Sequence, residues 1–381
     1  MKVLLAPDKF KGSLTAAEVA AHLGTGLRAR GMTVDELPLA DGGDGSVAAA
    51  VAAGFAPEPV TVAAATGRPH TAEIALSTTT DQDLPTAVVE VANTCGLHTL
   101  PGGRLAPLAA TSTGVGQAVR HAVEHGARRI VLALGGSAST DGGAGLLAAL
   151  GAGFRDRTGR DIQIAGGTLH RIATIDLAGL VDLTGIDLVI AGDVANPLTG
   201  PHGAAAVYGP QKGAAPADVA VLDAGLSHLV DRLMILRSDA PALAQQPGAG
   251  AAGGLGFAGL LLGGRIVSGA DYFLDLLDFD HRVADSDVVV TGEGRIDDQT
   301  RHGKLPAVVA RRSHPRPVIA VVGRSDISAA TAEDMGLAAV HALTDHTDQN
   351  PAGNPGLSRH LLTELARTMP LAPQRALPTS V

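Results

Sequence analysis

The chain has 381 residues, a formal net charge of −9 and no tryptophan, and aromatic residues make up only 2% of it. The length predicts two domains, and the acidic balance without a long basic run argues against nucleic-acid binding. A core built from Ala, Val, Leu and Ile, together with 49 glycines, favours α/β layers joined by tight turns.

The sequence shows no targeting or membrane segment. The apolar run before Asp8 and Lys9 is too short for a secretory leader, and no stretch approaches the roughly 18 apolar residues of a membrane span. The single cysteine, Cys95, has no partner for an internal disulfide and is typical of a small buried residue rather than a nucleophile. These features predict a cytoplasmic protein with no membrane or nucleic-acid partner.

Strand–helix alternation opens and closes the chain. A buried strand is predicted at Lys2–Ala6, followed by a helix that begins after a capping box at Thr15–Glu18. From Pro59 onward, alternating residues predict a β-hairpin, and the middle of the chain mixes hairpins with helices. Further buried strands are predicted at Ile130–Leu134, Asp187–Ala191 and Asp287–Thr291.

This alternation predicts an α/β fold of two domains. We expect a discontinuous parallel-sheet domain over residues 1–60 plus 284–370, with a second, mixed α/β domain inserted over 61–283. Residues 371–381 show little periodicity and are expected to form a loosely ordered tail.

Five loops after predicted strands combine glycine with acidic, basic or hydroxyl side chains. They are PDKFKGS (7–13), ADGGDGS (40–46), GGSASTDGG (135–143), AGDVANP (191–197) and TGEGRIDDQ (291–299). In open α/β sheets, ligands bind at the carboxyl ends of the strands. Glycine-rich backbone binds phosphates, lysine neutralises them, and carboxylates hold Mg²⁺ or accept a proton from a hydroxyl. The combination indicates phosphoryl transfer to an alcohol.

Other motif-based functions fit less well. The chain has no G-x-x-x-x-G-K-[ST] motif of Walker-type ATPases, no H-E-x-x-H, no Cys–His cluster and no G-x-S-x-G elbow. The segment 248–253 matches G-x-G-x-x-G, but no predicted strand precedes it, so a dinucleotide fingerprint is not supported.

The chain resembles the bacterial type I glycerate kinase family over nearly its whole length, to about residue 370. The matching stretches are APDKFKGSLTAAEVA (6–20), LPLADGGDGS (37–46), ALGGSASTDGGAG (133–145), DVANPLTGPHGAA (193–205), GAAGGLG (250–256) and TGEGRIDDQTRHGKLP (291–306). The resemblance implies two α/β domains, one of them Rossmann-like, with the site in the cleft between them. It implies ATP-dependent, Mg²⁺-requiring phosphorylation of D-glycerate, at the 2-hydroxyl in most members.

The resemblance also implies roles for individual residues. Asp193 is predicted to be the general base, and Lys11 to pair with the γ-phosphate or with the substrate carboxylate. Substrate binding is assigned to Ser137, Thr140, Asp141 and Arg295. Nucleotide or phosphate binding is assigned to Asp41, Gly42, Gly43, Gly253, Gly254 and Lys304, and metal binding to Asp44, Glu293 and Asp297.

Structural alternatives exist for these roles. Asp193 also fits a turn residue before Asn196-Pro197, and Lys11 a solvated loop lysine. The 291–304 segment also fits a salt-bridge network that latches the two domains. For the function, the alternatives are 3-phosphorylation, a related hydroxy acid as substrate, or a non-catalytic ligand-binding protein, and a homo-oligomer remains open.

Overall fold

The computed structural model of the chain describes residues 1–77, 84–298, 300 and 304–371. Except for residue 371, the predicted tail lies outside the described residues, as does Gln299 of the 291–299 loop. Among the residues that the structure describes, no helix combines the length and hydrophobicity that crossing a bilayer requires.

The strands and helices are numbered here in chain order. The strands are β1 (Lys2–Pro7), β2 (Thr33–Glu36), β3 (Ala56–Ala63), β4 (Pro69–Leu76), β5 (Thr86–Glu90), β6 (Arg129–Ala133), β7 (Gly153–Arg155), β8 (Thr174–Asp176), β9 (Asp187–Ala191), β10 (Arg265–Val267), β11 (Val288–Gly292), β12 (Arg295–Ile296), β13 (Val318–Val322), β14 (Arg324–Ser325) and β15 (Ala339–Ala342). The helices are α1 (Ala16–Arg28), α2 (Ser46–Ala52), α3 (Val91–Cys95), α4 (Thr113–Glu124), α5 (Ala144–Ala149), α6 (Ala204–Tyr208), α7 (Pro216–Met234), α8 (Ala240–Ala244), α9 (Leu255–Leu261), α10 (Gly269–Leu276), α11 (Phe279–Ala284), α12 (Leu305–Ser313), α13 (Ala329–Asp334) and α14 (Pro355–Thr368).

The chain divides into two compact units. Unit 1 comprises Met1–Asp41 and the chain from Ala270 onward, and unit 2 comprises Gly42–Gly269. Unit 1 is therefore discontinuous, and unit 2 is inserted into it. Each unit is built around its own sheet.

The sheet of unit 1 is entirely parallel, with the order β2-β1-β11-β13-β15. Counted along this unit alone, the order is 2-1-3-4-5, one of the two common doubly wound orders. The order reverses between β1 and β11, which pair from Val3↔Val288 to Pro7↔Gly292. This confirms the discontinuous parallel-sheet domain predicted from the strand–helix alternation and the Rossmann-like character implied by the resemblance.

Both faces of this sheet are buried, as a parallel sheet flanked by helices requires. Alternate residues such as Val3 and Leu5 pack with the apolar faces of α1 and α14, while Leu4 on the opposite face is equally inaccessible. Helix α1 begins at the predicted capping box, in which Thr15 and Glu18 exchange hydrogen bonds. The short apolar strands therefore lie in the centre of the unit, and their polar exit loops lie at its edge.

The sheet of unit 2 is mixed, with the order β10-β9-β6-β5-β4-β3. Strands β5, β6, β9 and β10 run parallel, while β3 pairs antiparallel with β4, and β4 with β5. This confirms the mixed α/β character of the inserted domain. The segment 248–253 follows helix α8 rather than a strand, so the βαβ context of a dinucleotide fingerprint is absent there.

The unit boundaries fall earlier than residues 60 and 284. Strand β3 pairs with β4 over its whole length, from Ala56↔Leu76 to Ala63↔Pro69, and α2 packs against β4 and β5. These contacts place residues 42–60 in unit 2. At the other boundary, Arg312 of α12 bonds to Asp271 and Asp280, which ties α10 and α11 to unit 1. Such tertiary partners are not visible in local sequence patterns.

Candidate active site

Two acidic side chains lie at the reversal point of the unit 1 sheet. Asp8 follows β1 directly, and its N–H donates to the carbonyl of Gly292 at 2.8 Å. Glu293 follows β11 directly. Doubly wound sheets bind ligands outside the carboxyl ends of the strands at this point, so the topology itself marks the position as a ligand site.

Burial and neighbouring charges make ionisation of both carboxyl groups unfavourable. Burial raises the pKa of Asp8 to about 7, with a further contribution from the charge of Asp41 and an opposing one from Lys9. Burial likewise raises the pKa of Glu293 to about 7, although the Thr300 hydroxyl, which donates to its Oε1 at 2.8 Å, acts against the shift. Two neighbouring carboxyl groups whose pKa values are raised close to neutral pH are typical of functional sites.

Asp297 and Lys304 belong to the same cluster. Thr300 links Glu293 to Asp297, because the Thr300 hydroxyl also accepts the N–H of Asp297 at 3.2 Å. The ammonium of Lys304 lies 3.5 Å from Asp297 Oδ1, immediately before α12. Glu293 and Asp297 were predicted to bind metal, and Lys304 to bind phosphate. The structure brings these three residues together with Asp8, for which no role was predicted from the sequence.

The chemistry of this cluster fits Mg²⁺. Carboxylate oxygens are the protein ligands that Mg²⁺ prefers. A divalent cation would offset the cost of ionising the buried carboxyl groups of Asp8 and Glu293 and would reduce the repulsion between their charges. Asp44, the third predicted metal residue, does not belong to the cluster. It is exposed on a loop of unit 2.

A cavity of about 460 Å³ lies at the same edge of the unit 1 sheet, and Lys11, Arg295 and Arg324 supply its cationic lining. Arg295 and Arg324 face each other in the register of β12 and β14, and both donate to Asp326, at 2.5 Å and 2.7 Å. Lys11 is exposed, and no hydrogen bond or ion pair joins it to another described residue. Asp348 also lines the cavity, so the three cations face two carboxylates, Asp348 and the shared Asp326. The cations outnumber the carboxylates, and the cavity therefore suits an anion.

Hydroxyl and amide groups complete the lining of this cavity. They come from the segment after β15, which contributes Thr344, Thr347, Gln349 and Asn350 along with the carboxylate of Asp348. The hydroxyl of Ser13 donates to Ser358 at 3.1 Å and so ties the loop after β1 to α14. Thr15, rather than Ser13, is the residue that caps α1.

Glycine-rich loops of unit 2 pack against one another through their backbones. The N–H of Gly135 donates to the carbonyl of Gly42 at 3.1 Å, and a Cβ on Gly135 would lie 2.4 Å from the Cα of Gly43. The buried carboxylate of Glu90 accepts the N–H groups of Gly45 and Val47 at the start of α2. The loops 42–46 and 135–143, predicted separately, therefore form one assembly.

Gly253 and Gly254 pack against the other side of the 135–143 loop. A Cβ on Gly253 would lie 2.1 Å from the carbonyl oxygen of Ser139, and one on Gly254 would lie 2.5 Å from the Cα of Gly142. Both residues have positive φ, which glycine adopts without strain. The carbonyl of Gly253 already accepts the N–H of Gly142 at 2.9 Å, so close packing accounts for these glycines, predicted to bind phosphate.

Asp141 orders its own loop. Its carboxylate is inaccessible to solvent and accepts hydrogen bonds from the N–H and hydroxyl of Ser112 and from the N–H groups of Gly143 and Gly145. Burial raises its pKa, and these donors oppose the rise. Thr140 is equally inaccessible. Both were predicted to contact substrate, but the structure places their side chains beneath the loop surface.

A buried lysine lies below Ser137. Lys212 as a residue is only 3% exposed. Its ammonium group donates to the Ser137 hydroxyl at 2.8 Å and to the Ser139 carbonyl at 2.6 Å. Burial lowers its pKa to about 8, while nearby Cys95 and Asp141 oppose that shift. Because Ser137 Oγ accepts from Lys212, its own proton is directed elsewhere, which suits it to donate to a ligand.

Cys95 lies in the same buried region. Burial raises the pKa of its thiol to about 12, so the thiol stays protonated at neutral pH. A nucleophilic role needs the thiolate, and the geometry therefore agrees with a small packing residue.

Asp193 lies at the carboxyl end of β9 and is exposed. Its Oδ1 accepts the N–H of Gly269 at 3.0 Å, which orients the carboxylate. In the same loop, Asn196 bonds to Tyr208 at 2.5 Å and to the carbonyl of His202, so Asn196 fixes the turn. An oriented, solvent-accessible carboxylate at a strand end can accept a proton from a bound hydroxyl.

Comparison with known proteins identifies relatives that match most of the chain. The glycerate kinase family model matches residues 3–368. The chain is 43% identical over 331 residues to a protein of Bacillus subtilis (strain 168) named glycerate kinase, and 40% identical over 333 residues to one of Escherichia coli (strain K12) named glycerate 2-kinase. Each alignment covers 85% of both chains.

A solved structure shows the same architecture. The crystal structure of a protein from Salmonella typhimurium LT2, described as glycerate kinase 2, matches with a TM-score of 0.75 and 38% identity. The match covers 96% of each chain, so both units are included. With its doubly wound unit, its inserted mixed α/β unit and these matches across nearly its full length, the chain belongs to the glycerate kinase family.

Proposed function

We propose that this protein transfers the γ-phosphoryl group of ATP to the 2-hydroxyl of D-glycerate. The observation that carries the proposal is the juxtaposition in unit 1 of a buried carboxylate cluster, containing Asp8 and Glu293, with a cationic cavity at the same sheet edge. One holds a divalent cation and the other a polyphosphate, and phosphoryl transfer needs both.

Unit 1 binds the nucleotide in this proposal. Its cavity lies within the 300–1,000 Å³ or so that small-molecule sites occupy. Arg295 and Arg324 offer planar donors that suit phosphate oxygens, and Lys11 adds a mobile charge for the γ-phosphate. Lys304, beside Asp297, neutralises further phosphate charge, and Asp41 contributes to the field around Asp8.

The acidic cluster holds Mg²⁺ in this proposal. Asp8 and Glu293 are the first choice as ligands, because burial and mutual repulsion penalise both charges until a cation is present. Asp297 supports them from the same loop. Bound Mg²⁺ supplies charge neutralisation for the transferring phosphoryl group.

Unit 2 binds D-glycerate in this proposal. Ser137, oriented by Lys212, donates to the glycerate carboxylate or hydroxyl, while Asp141 keeps the 135–143 loop in shape. Asp193 accepts the proton of the attacking hydroxyl, because its carboxylate is exposed and held by Gly269. Gly42, Gly43, Gly253 and Gly254 serve by letting these loops approach closely.

Substrate identity is tested with a panel of hydroxy acids. We expect ADP release to require ATP, Mg²⁺ and D-glycerate, with L-glycerate, lactate and tartronate at least ten-fold poorer by kcat/KM. If the enzyme preferred a different acid, the proposed substrate would be wrong but the proposed kinase activity would stand. Failure of every acid to stimulate ADP release would overturn the proposed activity. We also propose a cytoplasmic location, where the unpaired Cys95 stays reduced.

Arg324 provides a test of the nucleotide site. Replacing it in Arg324→Gln removes one charge from the cavity but leaves Arg295 paired with Asp326. A hydrogen bond to a charged group contributes about 1.5–3 kcal/mol, so KM for ATP should rise roughly ten- to 150-fold while KM for D-glycerate stays within two-fold. Steady-state kinetics with each substrate varied in turn measures both constants.

The matched control is Arg157→Gln, which removes an exposed arginine from unit 2. It should leave both KM values unchanged. If the Arg324→Gln enzyme had a normal KM for ATP, the proposal that ATP binds in this cavity would be wrong.

A further inference from the structure

Three side chains that can bind metal meet in unit 2, and none of them belongs to the candidate active site. Glu58 comes from β3, and His121 and His125 come from the C-terminal end of α4, which packs against that strand. One ligand atom from each residue lies within 4.8 Å of the other two. The cluster therefore joins a strand and a helix that are distant in sequence.

One ligand–ligand distance matches that of a tetrahedral site. His121 Nε2 and Glu58 Oε1 are 3.4 Å apart, and two ligands on one zinc ion, with bonds of about 2.0–2.1 Å, lie about 3.3 Å apart. Four-residue spacing on a helix places both imidazoles on one face, the spacing that helical zinc sites use. The two rings stack with centroids 3.8 Å apart and an interplanar angle of 23°. Since an ion lies in the plane of each imidazole that binds it, joint ligation requires the rings to rotate out of this stack.

Hydrogen bonding leaves the required lone pairs available. Nδ1 of His125 lies 2.8 Å from the carbonyl of His121 and donates to it, which leaves Nε2 of His125 unprotonated. Histidines that bind metals are oriented by this kind of second hydrogen bond. Nε2 of His121 is buried and has no hydrogen-bond partner among the described residues, although it faces Glu58. A buried ring nitrogen without a hydrogen bond is costly unless a ligand occupies it.

We propose that Glu58, His121 and His125 form a binding site for Zn²⁺ that cross-links β3 to α4. Two imidazoles and one carboxylate favour zinc over Mg²⁺, which prefers oxygen ligands alone. His125 is exposed, so the ion has direct access from solvent. The proposal is independent of the phosphoryl-transfer activity, because it involves no residue assigned to that reaction.

Calorimetric titration of metal-free protein with Zn²⁺ tests the site. We expect the full-length wild type to bind one more Zn²⁺ ion than His125→Ala, and Glu58→Gln to bind that ion at least ten-fold more weakly. Saturating Zn²⁺ should raise the Tm of the wild type by about 3 °C or more and leave that of His125→Ala unchanged. His170→Ala, which removes another exposed histidine of unit 2, should behave as the wild type.

The metal-free Tm of each variant shows that its fold is retained, since His125 and Glu58 are not core residues. Equal Zn²⁺ stoichiometry and equal Tm shifts in the wild type and His125→Ala would overturn the proposal. So would wild-type protein that binds no Zn²⁺ with a Kd below about 100 μM.

Discussion

Asp8→Asn is expected to lower kcat/KM at least 100-fold and yet to stabilise the metal-free protein at pH 8 by about 4 kcal/mol. The stability gain follows from linkage. The pKa of Asp8 is about 7 in the folded protein, and its ordinary value, which applies to the unfolded chain, is 3.8. Between pH 4 and pH 7 the folded chain therefore binds more protons than the unfolded chain. Stability from this group is therefore lost as pH rises from 4 to 7, and Asn, which stays neutral, avoids the loss.

Urea unfolding without divalent ions, at pH 8 and pH 4.5, measures the effect. The advantage of Asp8→Asn over the wild type should shrink several-fold at pH 4.5, where the folded wild type is already protonated at Asp8. Asn also keeps an oxygen to accept the N–H of Lys9, so the loop after β1 is preserved. The matched control, Asp334→Asn, changes an exposed carboxylate of unit 1 and should alter neither activity nor the pH dependence.

The opposite pattern would contradict the assignment of Asp8. Full activity in Asp8→Asn would show that the carboxylate is not needed for metal or phosphate binding. Equal stability differences at the two pH values would show that its burial does not penalise the charge.

Asp193→Asn should reduce kcat by about 10²–10⁴, the range that removal of a general base produces. Asn retains an oxygen for the N–H of Gly269, so the loop geometry and KM for D-glycerate should change little. Because Asp193 is exposed, the free energy of unfolding should stay within about 0.5 kcal/mol of the wild type. Steady-state kinetics and urea unfolding measure the two effects together.

Asp231→Asn, an exposed change on α7 of the same unit, serves as the control and should retain full kcat. A kcat for Asp193→Asn within a few-fold of the wild type would exclude Asp193 as the base. In that case its bond to Gly269 would mark it as a turn residue.

Much of the fold follows from local patterns in the sequence. Short apolar runs predict β1, β6, β9 and β11 to within one or two residues, since a fully buried strand has to be continuously apolar. Alternation predicts the β3–β4 hairpin, and a capping box predicts the start of α1. The strand order and the unit boundaries depend on contacts between distant segments, which these patterns do not encode.

The candidate site shows the same limit. The loops themselves were predictable because glycine and polar residues follow apolar strands, and the cluster of Glu293, Asp297 and Lys304 follows from one of them. A role for Asp8 follows only from the strand order of the sheet, which reverses beside β1. Lys212 lies on no glycine-rich strand exit, and only tertiary packing brings it to Ser137. Its sole sequence signal is a lysine within a run of small residues, GPQKGAA, at 209–215.

Burial gives the carboxylate of Asp141 a loop-ordering role, and contact between this loop and the substrate stays a prediction. Its sequence context, between a hydroxyl-rich segment and two glycines, suits a ligand-facing carboxylate as well as a loop-ordering one. The structure distinguishes the two, because four donors from the protein already occupy its oxygens. Asp141→Asn is for this reason a change in loop architecture rather than in substrate contact.

The most direct measurement is phosphorus NMR of the product formed from D-glycerate, ATP and Mg²⁺ by the purified enzyme. The account predicts stoichiometric ADP and a single new phosphomonoester, 2-phospho-D-glycerate, identified by addition of the authentic compound. A 3-phosphoglycerate signal would contradict the assigned hydroxyl. The absence of any glycerate-dependent phosphomonoester would contradict the central claim that the chain phosphorylates glycerate.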